Sequence, residues 1–162
     1  MGKFKKIGIG IGIIIVLVSI VIQFGLESKV FEDLDICKDE PFCYSARVTK
    51  IIDGDTMDVK HLSTGEPIRI RLSLTNTQER GEELYEAGKD FTANLCPVNS
   101  RIIFDQDDGQ TGDSFGRVIG LVFCGGLLLN EELLEANLAV IDSRFCDESE
   151  YRNDEWAQKY GC

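Results

Sequence analysis

Short stretches of alternating apolar and polar residues run along the chain, and each predicts a half-buried β-strand. In IRIRLSL, residues 68–74, isoleucine and leucine alternate with Arg69, Arg71 and Ser73, so a period of two places the apolar side chains on one face. Upstream, YSARVTKIIDGDTMDVKHL predicts two strands separated by a turn at Asp-Gly-Asp, residues 53–55. Three consecutive strands are therefore expected in the first part of the domain.

Helical spacing replaces this alternation after residue 80. A helix is predicted over residues 81–95, because apolar side chains recur there every three to four positions, at Leu84, Ala87, Phe91 and Leu95. Two more strands, RIIFD and RVIGLVF, are predicted on either side of a polar loop. The order so far is three strands, a helix and two strands.

The last part of the chain predicts short elements. RVIGLVF turns at a Gly-Gly pair into LLL and forms a hairpin. Asn130 is expected to cap a short helix that ends at Ala136, and LAVI returns as an extended segment. A terminal helix is predicted from aromatic residues at roughly helical intervals: Tyr151, Trp156 and Tyr160.

This order of elements is that of a small closed barrel with helices packed against it. The predicted fold class is mainly β with helices, α+β, and the five-stranded oligonucleotide- and oligosaccharide-binding (OB) barrel is the leading candidate.

Residues 7–26 form a run of 20 residues without a charged side chain. At helical rise this run matches a bilayer core of about 30 Å. The basic flank MGKFKK and the mostly acidic flank ESKVFEDLD predict a cytoplasmic N-terminus. We therefore expect a basic cytoplasmic tail (1–6), a transmembrane anchor (7–26), a linker (27–43) and an extracytoplasmic domain (44–162). A cleaved signal peptide is the alternative, although no small-x-small cleavage signal follows the run.

Charge argues against simple attraction to nucleic acid. The net charge is −11, and from Glu27 onward 14 basic side chains stand against 28 acidic ones, which gives −14. The overall field of such a domain repels a polyanion.

Six cysteines follow the predicted anchor: Cys37, Cys43, Cys96, Cys124, Cys146 and Cys162. An even number outside the cytoplasm favours disulfides over free buried thiols, but the sequence leaves their pairing open. Pairs 37–43 and 146–162 would close short loops, and pair 96–124 would tie a helix end to a strand. A zinc site is disfavoured, because the chain has no Cys-x-x-Cys and one histidine.

Three polar clusters contain side chains suited to phosphoryl chemistry. A hard cation needs several oxygen ligands, and a phosphodiester is bound by planar, permanent positive charge. Each cluster alone has an ordinary explanation as a turn or a solvated strand face, but their combination favours phosphoryl chemistry. The clusters are IDGDT with Asp53 and Asp55, RLSLTNTQE with Arg71, Asn76, Thr77 and Glu79, and DSFGR with Asp113 and Arg117.

Four motifs together resemble the thermonuclease family, whose type member is staphylococcal nuclease. They are KIIDGDTMDV, IRIRLSLTNTQE, DDGQTGDSFGRVIGLVF and LLLNEELLEANLAV, which occur in the same order and span about residues 47–141. The resemblance leaves out the predicted anchor and the ends that carry cysteines. It implies an OB barrel, calcium dependence and hydrolysis of DNA and RNA.

The resemblance also implies roles for single residues. Arg71 and Arg117 correspond to the two arginines that hold the scissile phosphate, where they stabilise developing charge. Glu79 corresponds to the glutamate that orients or deprotonates the attacking water. Asp53 and Asp113 correspond to acidic positions close to the site.

The implied calcium ligands are Asp55, Asn76 and the backbone carbonyl of Thr77. Asn76 stands where the family has a second aspartate, so calcium affinity should fall, since ligand charge tunes that affinity. The type member is also basic, whereas this domain is acidic. We therefore expect weak binding to nucleic acid, or binding that needs salt and divalent ions.

Two functions follow from these observations. The first is a membrane-anchored, extracytoplasmic, calcium-dependent nuclease, a metal-dependent phosphodiesterase that acts as a monomer on single-stranded or flexible DNA or RNA. The second is a catalytically weak or inactive barrel of the same fold that serves as a binding or adaptor module. The first is favoured because both arginines and Glu79 occur together.

Overall fold

Alternating stretches in the first half of the domain do form the wall of a barrel. The computed structural model describes residues 36–37, 42–113 and 115–162. Its strands are β1 (Cys43–Ile51), β2 (Thr56–His61), β3 (Pro67–Leu72), β4 (Thr75–Thr77), β5 (Arg101–Gln106), β6 (Val118–Cys124), β7 (Leu127–Leu128) and β8 (Ala139–Ile141). Its α-helices are α1 (Tyr85–Leu95), α2 (Leu129–Glu135) and α3 (Glu155–Tyr160), and 3-10 turns cover Ser143–Phe145 and Glu150–Asn153.

Five strands close the barrel. β1 pairs antiparallel with β2 and with β5, β2 pairs with β3, and β5 pairs with β6. A parallel pairing of β3 with β6 joins the two ends of this sheet. The predicted α+β class and the closed five-stranded barrel are thus confirmed, and the arrangement is consistent with an OB-like fold.

Two clusters of buried apolar residues form the core of the domain. One cluster fills the barrel and extends to the side chains of α1 and α2 that pack against it. It includes the fully buried Met57, Ile70, Phe104 and Leu133. The other lies beneath the C-terminal segment and is built around Trp156. The predicted terminal helix therefore contributes an apolar face to a separate core.

A buried carboxylate connects the end of β3 with this C-terminal segment. Asp107 is fully buried and accepts hydrogen bonds from the hydroxyls of Ser73 and Ser149, each at 2.6 Å, and from Gln110 Nε2 at 3.0 Å. Because a buried carboxylate is stable only when its oxygens are satisfied, this network holds the loop after β5 in a defined place.

Three disulfides connect the cysteines. They join Cys37 to Cys43, Cys96 to Cys124 and Cys146 to Cys162. The predicted presence of disulfides is therefore confirmed, and the structure decides the pairing that the sequence left open. The second bond ties the end of α1 to the end of β6. The third closes the C-terminal segment between residues 146 and 162, and both of its cysteines pack in the second cluster.

The first helix begins later than its apolar spacing predicts. α1 starts at Tyr85 rather than at residue 81, because Leu84 has a left-handed φ of 71° and such a residue cannot lie inside a right-handed helix. The buried face consists of Tyr85, Gly88 and Thr92. Of the predicted apolar residues, Phe91 and Leu95 pack against the barrel core as expected, whereas Leu84 and Ala87 are exposed.

Asn130 does not cap a helix. α2 begins at Leu129, and Asn130 lies inside it with its side chain fully buried. Its amide accepts from the backbone N–H of Val122 and donates to the carbonyl of Ser73. The side chain satisfies backbone groups of the barrel, which is why a polar residue occupies a core position.

The predictions for the N-terminal region lie outside the described residues. These are the basic tail, the anchor and most of the linker, whereas residues 37–162 form one compact unit. Within the described part of the chain, no helix has both the length and the apolar character that crossing a bilayer requires.

Candidate functional site

A turn after β3 directs the chain from the barrel wall to a small second sheet. β3 ends at Leu72, two residues before the alternating stretch does, because Leu74 has a φ of 55°. β4 then pairs with β8 and places Asn76 opposite Val140. This turn brings the polar residues that follow IRIRLSL, Asn76 and Thr77, back towards Arg71.

Arg71 lies where the barrel closes. It pairs with Thr56 of β2 on one side and with Ile119 of β6 on the other. Asp55 immediately precedes β2 and Arg117 immediately precedes β6. The starts of these two strands therefore bring residues that are distant in the chain to the same end of β3.

Asp55 is a buried carboxylate that connects three strands. Its Oδ1 contacts Arg71 Nη1 and accepts a hydrogen bond from the Thr56 hydroxyl at 3.1 Å. Its Oδ2 accepts from the backbone N–H and from the hydroxyl of Thr77, at 2.6 and 2.8 Å. The carboxylate consequently holds β4 against β3 and against the start of β2.

Asn76 contacts the same guanidinium from β4. Arg71 Nη2 donates to Asn76 Oδ1 at 2.7 Å. One planar guanidinium thus bonds both Asp55 and Asn76, with a different nitrogen directed to each. The two side chains predicted to bind calcium are in this way both partners of Arg71.

Arg117 is held by a local carboxylate in the loop before β6. Its Nε donates to Asp113 Oδ2 at 2.6 Å and its Nη2 contacts the same oxygen. Burial by itself raises the pKa of Asp113, but hydrogen bonds from the Arg117 guanidinium and from the backbone N–H groups of Arg117 and Phe115 lower it below the usual value. The guanidinium also lies 5.3 Å from the centre of the Phe115 ring.

Several charges converge on Arg71. Burial lowers the pKa of Arg71, and the positive charge of Arg117 lowers it further, whereas Asp53, Asp142 and Glu79 raise it. The four charges reach Arg71 from four different segments of the chain. The two arginines and the acidic groups named in the sequence therefore share one electrostatic environment.

A cleft of about 550 Å³ opens beside this cluster. Arg71 and Arg117 both line it, and the charge of Arg117 is near enough to lower the pKa of Arg71. Two aromatic side chains, Phe115 and Phe145, also lie on its wall, and Phe115 is 81% exposed. The cleft combines positive charge with aromatic surface inside an acidic domain.

The structure brings the predicted site residues together to different degrees. Asp55, Arg71, Asn76 and Thr77 are in direct contact. Asp113 and Arg117 form a second pair on the same cleft. Asp53 accepts a hydrogen bond from the backbone N–H of Asp55 at 3.2 Å. Glu79 lies in the exposed loop after β4, with its backbone N–H bonded to Glu82 Oε2 at 2.7 Å.

Sequence reasoning missed the acidic and basic pair that follows β8. Arg144 bonds Asp142 through Nε and Nη2, both at 2.8 Å, and both residues line the cleft. Asp142 reaches this place because its backbone N–H donates to the carbonyl of Leu74. The extended segment LAVI was predicted, but its pairing with β4 has no local signal in the sequence.

The implied calcium ligands do not fit a calcium ion as they are arranged. Their oxygen chemistry is suitable, since carboxylate and amide oxygens bind hard cations. However, the side-chain oxygens of Asp55 and Asn76 are directed to the Arg71 guanidinium, which occupies the position between them. Among the described residues, no group of three acidic, histidine or cysteine side chains is placed to hold a metal ion.

Comparison with known proteins leaves the family open. No family model matches the chain. An uncharacterized protein of Bacillus anthracis is similar, with 29% identity over 102 residues, which covers 59% of this chain and 46% of that protein. The chain thus matches a little under half of the length of this curated relative.

Proposed function

We propose that the domain hydrolyses phosphodiester bonds in single-stranded or flexible DNA or RNA, as a member of the thermonuclease family would. The observation that carries this proposal is the convergence of Arg71 and Arg117 on one cleft. The two residues lie on opposite sides of α1 and β5 in the chain. A pair of guanidinium groups that face one space is suited to the non-bridging oxygens of a phosphate.

The two arginines would stabilise the charge that builds on the phosphate during attack. Arg117 is oriented for this by Asp113, which bonds its Nε at 2.6 Å. Arg71 is oriented by Asp55 and Asn76, and its side chain is only 16% exposed. Positive groups that are already in place need no rearrangement when charge develops, and this makes them effective in catalysis.

Glu79 would accept the proton of the attacking water. Its negative charge is near enough to raise the pKa of Arg71, and it lies in an exposed loop at the end of β4. A carboxylate within reach of a positioned water can act as a general base. The strand that ends in this loop also carries Asn76 and Thr77.

Exposed aromatic rings support a single-stranded substrate. Phe115 and Phe145 lie on the cleft that holds the arginines. Bases that are not paired can stack on such rings, and stacking contributes about 1–3 kcal/mol per base. A duplex does not present its base faces in this way.

The three disulfides support a location outside the cytoplasm, because such bonds persist in oxidising compartments. The proposed enzyme would be held there by a single N-terminal membrane anchor. Its calcium dependence and its monomeric state stay predictions, and the arrangement of Asp55 and Asn76 argues for weak binding of calcium at most.

A weak or inactive binding module is the second candidate. Two observations favour it: Arg71 is already bonded to two side chains, and the residues from Glu27 onward carry a net charge of −14. Such a module would bind a single-stranded nucleic acid without cutting it.

Hydrolysis of a fluorescent single-stranded DNA by the full chain distinguishes the two candidates. The assay is run from chelator to millimolar calcium. We expect Glu79→Ala and Arg117→Ala to lower the rate by about a hundredfold, the usual effect of removing a group that stabilises transition-state charge. Matched controls are Glu86→Ala in α1 and Arg69→Ala on β3, both exposed and both expected to retain the native rate.

Two outcomes reject the nuclease. One is the absence of cleavage by the native chain at every calcium concentration, combined with binding of the DNA, which supports the module. The other is a native rate in both Glu79→Ala and Arg117→Ala, because the cleavage then occurs elsewhere or comes from a contaminant.

A further inference from the structure

One guanidinium lies between the two side chains that the sequence predicts as calcium ligands. Arg71 Nη1 contacts Asp55 Oδ1, and Arg71 Nη2 donates to Asn76 Oδ1 at 2.7 Å. A cation bound by these two oxygens would have to lie between them as well. The guanidinium and a divalent ion therefore require the same oxygens.

The carboxylate of Asp55 is saturated by its present partners. An ionised carboxylate offers about four lone-pair directions. Four donors among the described residues use them: Arg71 and the Thr56 hydroxyl at Oδ1, and the N–H and hydroxyl of Thr77 at Oδ2. A further positive partner can bind only if one of these donors leaves.

The charges of these three side chains cancel without an ion, although further charges of both signs act on Arg71 from outside the group. Asp55 contributes one negative charge, Arg71 one positive charge, and Asn76 none. With an aspartate at position 76, the group would keep one uncompensated negative charge and would attract a cation. The amide instead accepts a hydrogen bond from the guanidinium, which is the interaction that a neutral oxygen makes well.

We propose that Arg71 is the resident cation of this site, so that calcium binds there only by displacing its guanidinium from Asp55 and Asn76. Two consequences follow. Calcium binds weakly, and the geometry of the cleft, including its affinity for a phosphate group, does not require a divalent ion. The proposal deepens the proposed function by defining its cofactor requirement, but it concerns binding and not hydrolysis.

Isothermal titration of the full chain with calcium tests the proposal. The comparison is between the native chain, Arg71→Gln and Arg117→Gln, each checked for its fold by circular dichroism and a thermal melt. Both variants remove one positive charge from the cleft, but only Arg71 contacts Asp55 and Asn76. We expect Arg71→Gln to tighten calcium binding by about tenfold or more, because it frees the Asp55 and Asn76 oxygens to bind the ion. We expect Arg117→Gln to tighten it by less than about threefold, because it removes only a screened positive charge nearby.

A second variant covers the case in which Arg71→Gln does not fold. Arg71→Lys keeps the charge, but its single ammonium cannot bond both oxygens in the fork geometry of a guanidinium. We expect it to tighten calcium binding by at least about threefold, because ligand charge and rigidity tune calcium affinity.

Three results overturn the proposal. The first is equal tightening in Arg71→Gln and Arg117→Gln, which is the general effect of removing a charge. The second is an unchanged affinity in folded Arg71→Lys. The third is a lack of calcium binding in every variant, because Asp55 and Asn76 then do not bind a divalent ion even when the Arg71 guanidinium is removed. A chain that shows the expected affinities but cuts no nucleic acid rejects the nuclease and leaves this inference intact.

Discussion

Two arginine–carboxylate pairs lie at the same cleft, which Arg71, Arg117 and Asp113 line, and they differ in what they connect. The pair of Arg71 and Asp55 joins β3 to the start of β2 and, through Thr77, to β4. The pair of Arg117 and Asp113 lies within one loop, four residues apart. The first is deeply buried, with side chains 16% and 6% exposed, whereas those of the second are 25% and 19% exposed.

This difference indicates what each pair contributes. A buried pair that connects distant strands supports the fold as well as the site, and losing one partner leaves an uncompensated charge. A local pair near solvent orients one side chain and contributes little to stability. The Arg71–Asp55 pair therefore mainly supports the fold, whereas the Arg117–Asp113 pair mainly orients the Arg117 guanidinium towards the cleft.

Asp55→Asn gives the largest expected effect. The substitution leaves the buried guanidinium of Arg71 without its counter-charge, so the free energy of unfolding should fall by roughly 3–5 kcal/mol, as for other broken buried pairs. Urea denaturation measures this change. Asp58→Asn is the control, because it breaks a more exposed pair with Arg69. If the two variants lose equal stability, the buried pair has no special structural role.

Asp113→Asn should separate binding from stability. We expect a loss of about 0.5–1 kcal/mol in the free energy of unfolding, the range of ion pairs near the surface. The affinity for single-stranded DNA should change more, because Arg117 loses the acceptor that orients its guanidinium. Fluorescence anisotropy and urea denaturation on the same samples provide the comparison. A large fall in stability with unchanged affinity for DNA would contradict this assignment, because the Arg117–Asp113 pair would then support the fold and would not orient Arg117 for binding.

The pH dependence of the Asp113 contribution provides a finer test. Hydrogen bonds from Arg117 and Phe115 lower the pKa of Asp113 in the folded state. A group with a lowered folded pKa contributes stability above its unfolded value of about 3.9, and this contribution is lost as pH falls through the folded pKa. The stability difference between the native chain and Asp113→Asn should thus be constant near neutral pH and shrink in acid below about pH 4. A difference that grows in acid contradicts this sign.

Arg144→Gln should have the smallest effect. Arg144 is exposed at the edge of the cleft and paired with Asp142, so it can reach one phosphate of a bound strand. Its loss should lower the affinity for single-stranded DNA a few-fold and reduce the salt dependence of log K by about 0.7, the value for one phosphate contact. Arg152→Gln is the matched control, an exposed arginine paired with Asp147. An equal change in both variants would mean that only the net charge matters.

Regular patterns in the sequence predicted most barrel strands but missed their ends. The alternation in IRIRLSL continues to Leu74, whereas β3 ends at Leu72, because the apolar residue at 74 is buried in the second cluster rather than in the barrel. A period of two reports burial, and it cannot show which of two cores receives the side chain. Helix α1 shows the same limit, since the left-handed turn at Leu84 has no signature in its spacing.

The candidate site was predictable as a set of residues and not as a set of contacts. The motifs indicated Arg71, Arg117 and the oxygen-bearing residues between 53 and 79. The structure places Arg71, Asp113 and Arg117 on one cleft and brings Asp55, Asn76 and Thr77 into a bonded group around Arg71, whereas Glu79 lies in an exposed loop outside the lining of the cleft. The bonds from Arg71 to Asp55 and Asn76 were not foreseen, and neither was the place of Asp142 and Arg144. These contacts depend on β4 leaving the barrel and pairing with β8.

Local chemistry in the chain was enough to determine the α+β class, most of the barrel strands and the number of cysteines available for pairing, because side-chain periodicity and turn residues act over a few positions. The partners of Arg71 were decided by tertiary structure alone. They depend on the closure of β3 onto β6 and on the turn at Leu74, which bring together segments whose distance along the chain carries no information about their distance in space.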